Sequence, residues 1–313
     1  MSKRLSVFAL FTIALCAASA FAADGRHWGH SLSMNTNNAD SDNCADHINI
    51  SSDDLSALAR SEEVITLANQ PLTVKASQNG GIHVRNWDKN EISVKLCRAA
   101  AARTQGEAQR VLGQVHLRNS GASVSVEGPD GSSTDNDDVA WSSVLLIMAP
   151  RGATLDLSVH NGGISLKGVN ANVTGHALNG GISLSQTTGK IDVEAQNGGI
   201  SIKDCGGDVK ATVQNGGLSI QLGENWVGTG LDARSHNGGL VVEIPRNFAS
   251  SLEVSTSNHS SLMCQSDACA RGERTWDDNG RVFRIGSNPI VHASTVNGGT
   301  IIKERGSRSH GDI

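Results

Sequence analysis

The sequence predicts an all-β chain wound as a β-solenoid, and three observations predict it. The tripeptide Asn-Gly-Gly begins at Asn79, Asn161, Asn179, Asn197, Asn215, Asn237 and Asn297, and the four copies from Asn161 to Asn215 keep an 18-residue spacing. Apolar residues alternate after each copy, as in Ile164/Leu166, Ile182/Leu184, Ile200/Ile202 and Leu218/Ile220, with Ser165, Ser183, Ser201 and Ser219 between them. A second alternating run precedes the next copy: Leu155/Leu157/Val159, Val173/Gly175/Ala177, Ile191/Val193/Ala195 and Val209/Ala211/Val213. Period-2 alternation is the signature of a strand with one face buried, so each repeat carries two short strands. A repeat of this size cannot bury its own apolar face and must stack on its neighbours.

The repeated Asn-Gly step is expected to supply positive φ angles for a tight turn. Stacked asparagines are expected to hydrogen-bond as a ladder at the strand spacing of about 4.8 Å. Outside the repeats, residues 99–112 read as a short amphipathic helix placed as a cap, residues 129–138 as a loop, and residues 304–313 as a disordered tail. The repetitive body is expected over 65–303, preceded by a polar, partly disordered leader over 23–64.

The chain opens with Lys3 and Arg4, an apolar run from Leu5 to Ala18 and the small-x-small triplet Ala20-Phe21-Ala22. This is the pattern of a signal peptide over 1–22, and it predicts a protein exported to the periplasm, the cell surface or the medium. Leu15 stands before Cys16 where a lipoprotein signal needs a small residue, so Cys16 is expected to leave with the signal. No later run approaches the roughly 20 apolar residues of a transmembrane helix. Without Lys3 and Arg4 the balance is 24 basic against 31 acidic residues, a net charge of -7, which disfavours nucleic acid and anionic membrane as partners.

Five of the six cysteines lie beyond the signal, in a compartment that permits disulfides. Cys264 and Cys269 flank a four-residue loop and are candidates to close a hairpin; Cys44 and Cys97 are the second candidate pair, with Cys205 as the spare thiol.

Candidate chemistry would lie in the outward columns. One runs Asp156, Thr174, Asp192, Lys210 and its neighbour Ser158, His176, Glu194, Thr212. Two aspartates two rungs apart suit solvated charge better than a carboxylate pair acting on a glycosidic bond. The serine column lacks a recurring His or Asp partner, as a triad would need. Asp130–Asp138 lacks calcium-loop spacing, and His27-Trp28-Gly29-His30 with Cys44 and His47 is too irregular for a metal set. No catalytic residue, cofactor or metal ligand is therefore assigned, and the chain is expected not to be an enzyme.

The segments Asn79-Gly80-Gly81-Ile82, Trp87-Asp88, Val144-Leu145-Leu146-Ile147 and Thr295-Val296-Asn297-Gly298-Gly299 resemble the bacterial putative adhesin family, domain of unknown function 4097, over about residues 65–303. The resemblance implies a right-handed β-solenoid, export and an adhesive role without catalytic residues. The expected partner is a polysaccharide or an envelope protein, with self-association as a variant. A polysaccharide-active enzyme on a β-helix and a structural envelope scaffold are the alternative readings.

Overall fold

A computed structural model describes residues 31–34, 41–51, 55–129, 139–258, 260–277 and 280–306. The fold is all-β, with two large, open, mixed sheets of 12 and 11 strands and a small two-stranded sheet pairing Ser31–Met34 with Ile48–Ser51. The signal pattern, the His27 segment and the 130–138 loop lie outside the described residues.

Each repeat gives one strand to each large sheet. In the 12-stranded sheet Leu155, Val173, Ile191 and Val209 stand in register on parallel strands, followed by Leu231 and Val291. In the 11-stranded sheet the register runs Ile82, Ile164, Ile182, Ile200, Leu218, Leu240 and Thr300. Buried side chains of both sheets meet in the main apolar core, so the alternation seen in the sequence sorts residues of the repeats into core and solvent faces.

The repeats are interrupted twice. Between Gly80–Trp87 and the next repeat, Glu91–Ala102 folds antiparallel to both Ala57–Ala68 and Val139–Pro150. Between Leu240–Ile244 and Thr300–Glu304, the strands Leu252–Ser257, Gly280–Ile285 and Glu273–Asp277 form an antiparallel ribbon at the end of the 12-stranded sheet.

Four expectations are corrected. The helix spans Gln105–Leu112 only; Ala99 to Ala102 belong to the preceding strand. The alanine run suits a helix by propensity, but here it pairs with Ala57–Arg60 and Val139–Ser142, and Ala100 and Ala102 make a low seat for Ala108, Val111 and Leu112. The boundary drawn between 64 and 65 falls inside the Ala57–Ala68 strand, so residues 57–64 are sheet. Residues 304 and 305, assigned to the tail, belong to the fold: Glu304 closes a strand, and Arg305 donates to Asp204 and, at 3.0 Å, to the carbonyl of Leu222, while residues 307–313 lie outside the described residues.

The fourth correction concerns the turns. None of the repeat asparagines has positive φ, and among the Asn-Gly-Gly glycines only Gly216 does, at 154°. The left-handed residues sit at the opposite corner, where Gly168, Gln186 and Asp204 have φ of 62°, 51° and 51°. The glycine after Asn serves close approach instead. A Cβ on Gly180, Gly198 or Gly216 would lie 1.9, 2.2 or 2.3 Å from the carbonyl oxygen of the equivalent glycine one repeat earlier.

Candidate binding face

The outer surface of the 11-stranded sheet is built from two positions of each short strand. The Ser position gives the column His83, Ser165, Ser183, Ser201, Ser219, Val241, Ile301 and Met263. The residue two further on gives Arg85, Lys167, Ser185, Lys203, Gln221, Glu243, Lys303 and Gln265. Short hydroxyl side chains keep the middle of this face flat, and the mixed column that contains Lys167, Lys203 and Lys303 lines one side of it. Toward the C-terminal end the floor turns apolar, with Met263 46% exposed, and Lys303 is 2.8 Å from Glu243.

On the opposite outer surface, Asp156, Thr174, Asp192, Lys210, Asp232 and His292 share one column, and Ser158, His176, Glu194, Thr212, Arg234 and Ser294 the next. Acids and bases are interleaved: Lys210 is 3.5 Å from Asp192, His176 is 3.8 Å from Glu194, and Arg234 is 2.8 Å from Asp232. Asp192 lies beside Lys210, Asp232 beside Arg234 and Glu194 beside the His176 ring, and Asp156 is separated from Asp192 by the strand of Thr174.

Along one seam runs a continuous asparagine ladder. Asn161 donates to Asn79 at 3.0 Å, Asn179 to Asn161 at 2.9 Å, and Asn197, Asn215 and Asn237 each to the preceding asparagine at 3.0 Å. Asn297 donates to Asn237 at 2.8 Å, and Asn258 donates to Asn297. Every inner member is donor and acceptor at once, which fixes the amide orientation down the whole stack.

Cys44 is bonded to Cys97 and Cys264 to Cys269, and Cys205 is a free thiol. Burial pushes the Cys205 thiol above its ordinary range. The Cys205 Sγ lies 3.3 Å from the Lys203 carbonyl, so it sits as a packed, protonated group.

No family model matches the chain, and no curated protein matches it. The likeness to the domain of unknown function 4097 therefore stands as a resemblance of segments. Three solved structures are similar in backbone. One, described as "a putative cell adhesion protein" from Clostridium sporogenes, is 10% identical, with a TM-score of 0.29 over 79% of this chain and 100% of that one. Another, "a putative adhesin" from Bacteroides fragilis, is 9% identical, with a TM-score of 0.40 over 80% and 98%. The third, a "Putative lipid binding protein" from Parabacteroides distasonis, is 9% identical, with a TM-score of 0.30 over 78% and 96%.

One feature of the face escaped the sequence reading. His83 and His47 are buried together, their ring centroids 4.9 Å apart. His47 bonds the Ser41 carbonyl at 2.8 Å, and the Nδ1 atoms of both rings are buried without a hydrogen-bond partner. Burial first, then the neighbouring His47, lowers the His83 pKa from 6.5 to about 4. The signal available was that His83 holds the serine position of the repeat, an outward position. That residues 41–48 would be clamped over it by the Cys44–Cys97 bond was not readable. Among the described residues, no group of three or more His, Cys, Asp or Glu side chains is placed to hold a metal.

Proposed function

We propose that the protein is an exported, non-enzymatic β-solenoid that binds an extended polymer, a polysaccharide or an extended protein segment of the cell envelope, along the outer face of its 11-stranded sheet. The observation that carries the reading is the in-register repetition of Ser183, Ser201 and Ser219 beside Ser185, Lys203 and Gln221. Hydroxyl groups recur there at the strand spacing of about 4.8 Å, with the Lys203 ammonium and the Gln221 amide beside them, and a chain with a regular repeat can meet the hydroxyls rung after rung. Export is supported by the N-terminal pattern and by the two disulfides. A non-catalytic role is supported by the interleaving of Asp192 with Lys210 and of Glu194 with His176.

The test is a binding screen of residues 23–313 against glycans and envelope polymers, with product analysis of each hit. Saturable binding without shortening of the polymer is expected, lost in Ser201→Asp/Lys203→Glu and kept in Asp192→Asn. Shortening of any polymer would overturn the reading in favour of an enzyme. Binding that survives the Ser201/Lys203 change would move the site off this face.

A further inference from the structure

The strand Ala57–Ala68 ends the 11-stranded sheet: it is bonded to Glu91–Ala102 on one side, and no strand among the described residues pairs with its other side. Twelve residues is long for an exposed edge, and a long edge left open is a template for another strand. Two of the five exposed large apolar side chains among the described residues lie on it, Leu58 at 40% and Val64 at 51%. Between them, on the same face, stand Arg60 and Glu62.

We propose that this edge pairs antiparallel with the same edge of a second copy of the chain, about a two-fold axis through Ser61. In that register Leu58 faces the partner's Val64, and Arg60 faces the partner's Glu62, each twice by symmetry. The sequence favours this register over its neighbours. A shift by one pairing step sets Arg60 against its own copy in one direction and Glu62 against its own copy in the other. Those charges discourage unregistered edge pairing while matching in one arrangement. Both ions are already held in place, Arg60 by the Ile48 carbonyl at 3.3 Å and Glu62 by Lys95 at 3.7 Å, so the pairing surface is ordered before association. Assembly of two copies would join their 11-stranded sheets edge to edge into one surface.

The test uses the mature chain, residues 23–313, in sedimentation velocity over a concentration series. The wild type is expected to dimerise, and Arg60→Glu and Glu62→Arg, each with like charges facing, to shift the midpoint by about tenfold or more. Mixing the two variants should restore a dimer, because every facing pair is then opposite in sign. In a Cys205→Ser background, Ser61→Cys should cross-link to its own copy on mild oxidation, since facing Cα atoms are about 4.5–5.5 Å apart across an antiparallel pair. Thr66→Cys should not, as the two copies of that residue would lie roughly 34 Å apart. A wild type that stays monomeric and a Ser61→Cys variant that does not cross-link would overturn the proposal. Cross-linking at Thr66 as fast as at Ser61, or a mixture no more associated than its components, would also overturn it. Should a charge variant misfold, the cysteine pair decides alone.

Discussion

A Cβ placed on Gly198 falls 2.2 Å from the carbonyl oxygen of Gly180, its equivalent one repeat earlier. The contact is with backbone, which cannot swing aside, so even alanine requires the two stacked turns to separate. By contrast, a Cβ on Gly217, at the second glycine position, meets nothing closer than the Gly239 carbonyl oxygen at 3.7 Å. Gly198→Ala is therefore expected to cost about 2–3 kcal/mol, and Gly217→Ala to stay within about 0.5 kcal/mol of the wild type, in denaturant titration. Equal stability of the two variants would refute the close-approach account. If Gly198 were needed for positive φ, Gly198→Asn would be tolerated; the present geometry predicts that it fails as Ala does.

Asn197 is a middle rung of the ladder, donating to Asn179 and accepting from Asn215, each at 3.0 Å. Asn197→Asp keeps the shape and the acceptor but sets a carboxylate oxygen against the Asn179 acceptor. At neutral pH the variant should lose about 1–2 kcal/mol relative to wild type. Its deficit should shrink as the pH falls through about 4, where the carboxyl gains a proton to donate. A deficit that does not change with pH would show that the ladder contributes shape and no hydrogen bonding.

His83 gives the wild type its own pH dependence. The folded chain holds the imidazole neutral down to about pH 4, whereas the unfolded chain protonates it at its ordinary 6.5. Between those values the unfolded state binds more protons, so stability falls as the pH is lowered from 6.5 to 4 and levels off below. The full effect is on the order of 3 kcal/mol. His83→Gln should remove that part of the slope, measured as the difference between wild-type and variant unfolding curves at pH 7.5, 5.5 and 4.5. Parallel curves would mean that the ring is hydrated in the folded state.

How much of this was readable beforehand depended on how local each cause was. Pairing of Ile164, Ile182, Ile200 and Leu218 followed from spacing alone, because a shifted register would put every serine in the core. The asparagine ladder was equally open to view, since the same residue recurs at the same place. What the pattern hid was set by contacts distant in sequence. The demand for glycine at 180 and 198 comes from the neighbouring strand, and φ at Gly168, Gln186 and Asp204 comes from the other corner. Ala99 to Ala102 are strand because Trp141 and Ala59 flank them, against their helical propensity. Of the candidate surface, the serine and charge columns were legible as alternation, while the burial of His83 needed residues 41–48, which have no repeat to reveal them.

The Cys44–Cys97 bond spans 53 residues and ties the 41–48 segment to the sheet, where Ile48 packs with Cys97, Ala99, Val144 and Leu146. Cys264–Cys269 spans only five and closes a local loop. If loop-closure entropy of the unfolded chain dominates, the long bridge is worth about 4 kcal/mol and the short one about 2 kcal/mol. Cys44→Ser/Cys97→Ser should then lower the melting temperature more than Cys264→Ser/Cys269→Ser. The first variant has a second consequence. With the clamp gone, 41–48 is free to leave the His83 ring, which regains water and loses the neighbouring imidazole. Its pKa should move from about 4 back toward 6.5, readable from the imidazole resonances, and the acid slope assigned to His83 should flatten in the same variant. A lower melting temperature with the His83 titration unmoved would show that packing of Ile48, without the bridge, holds the segment over the ring.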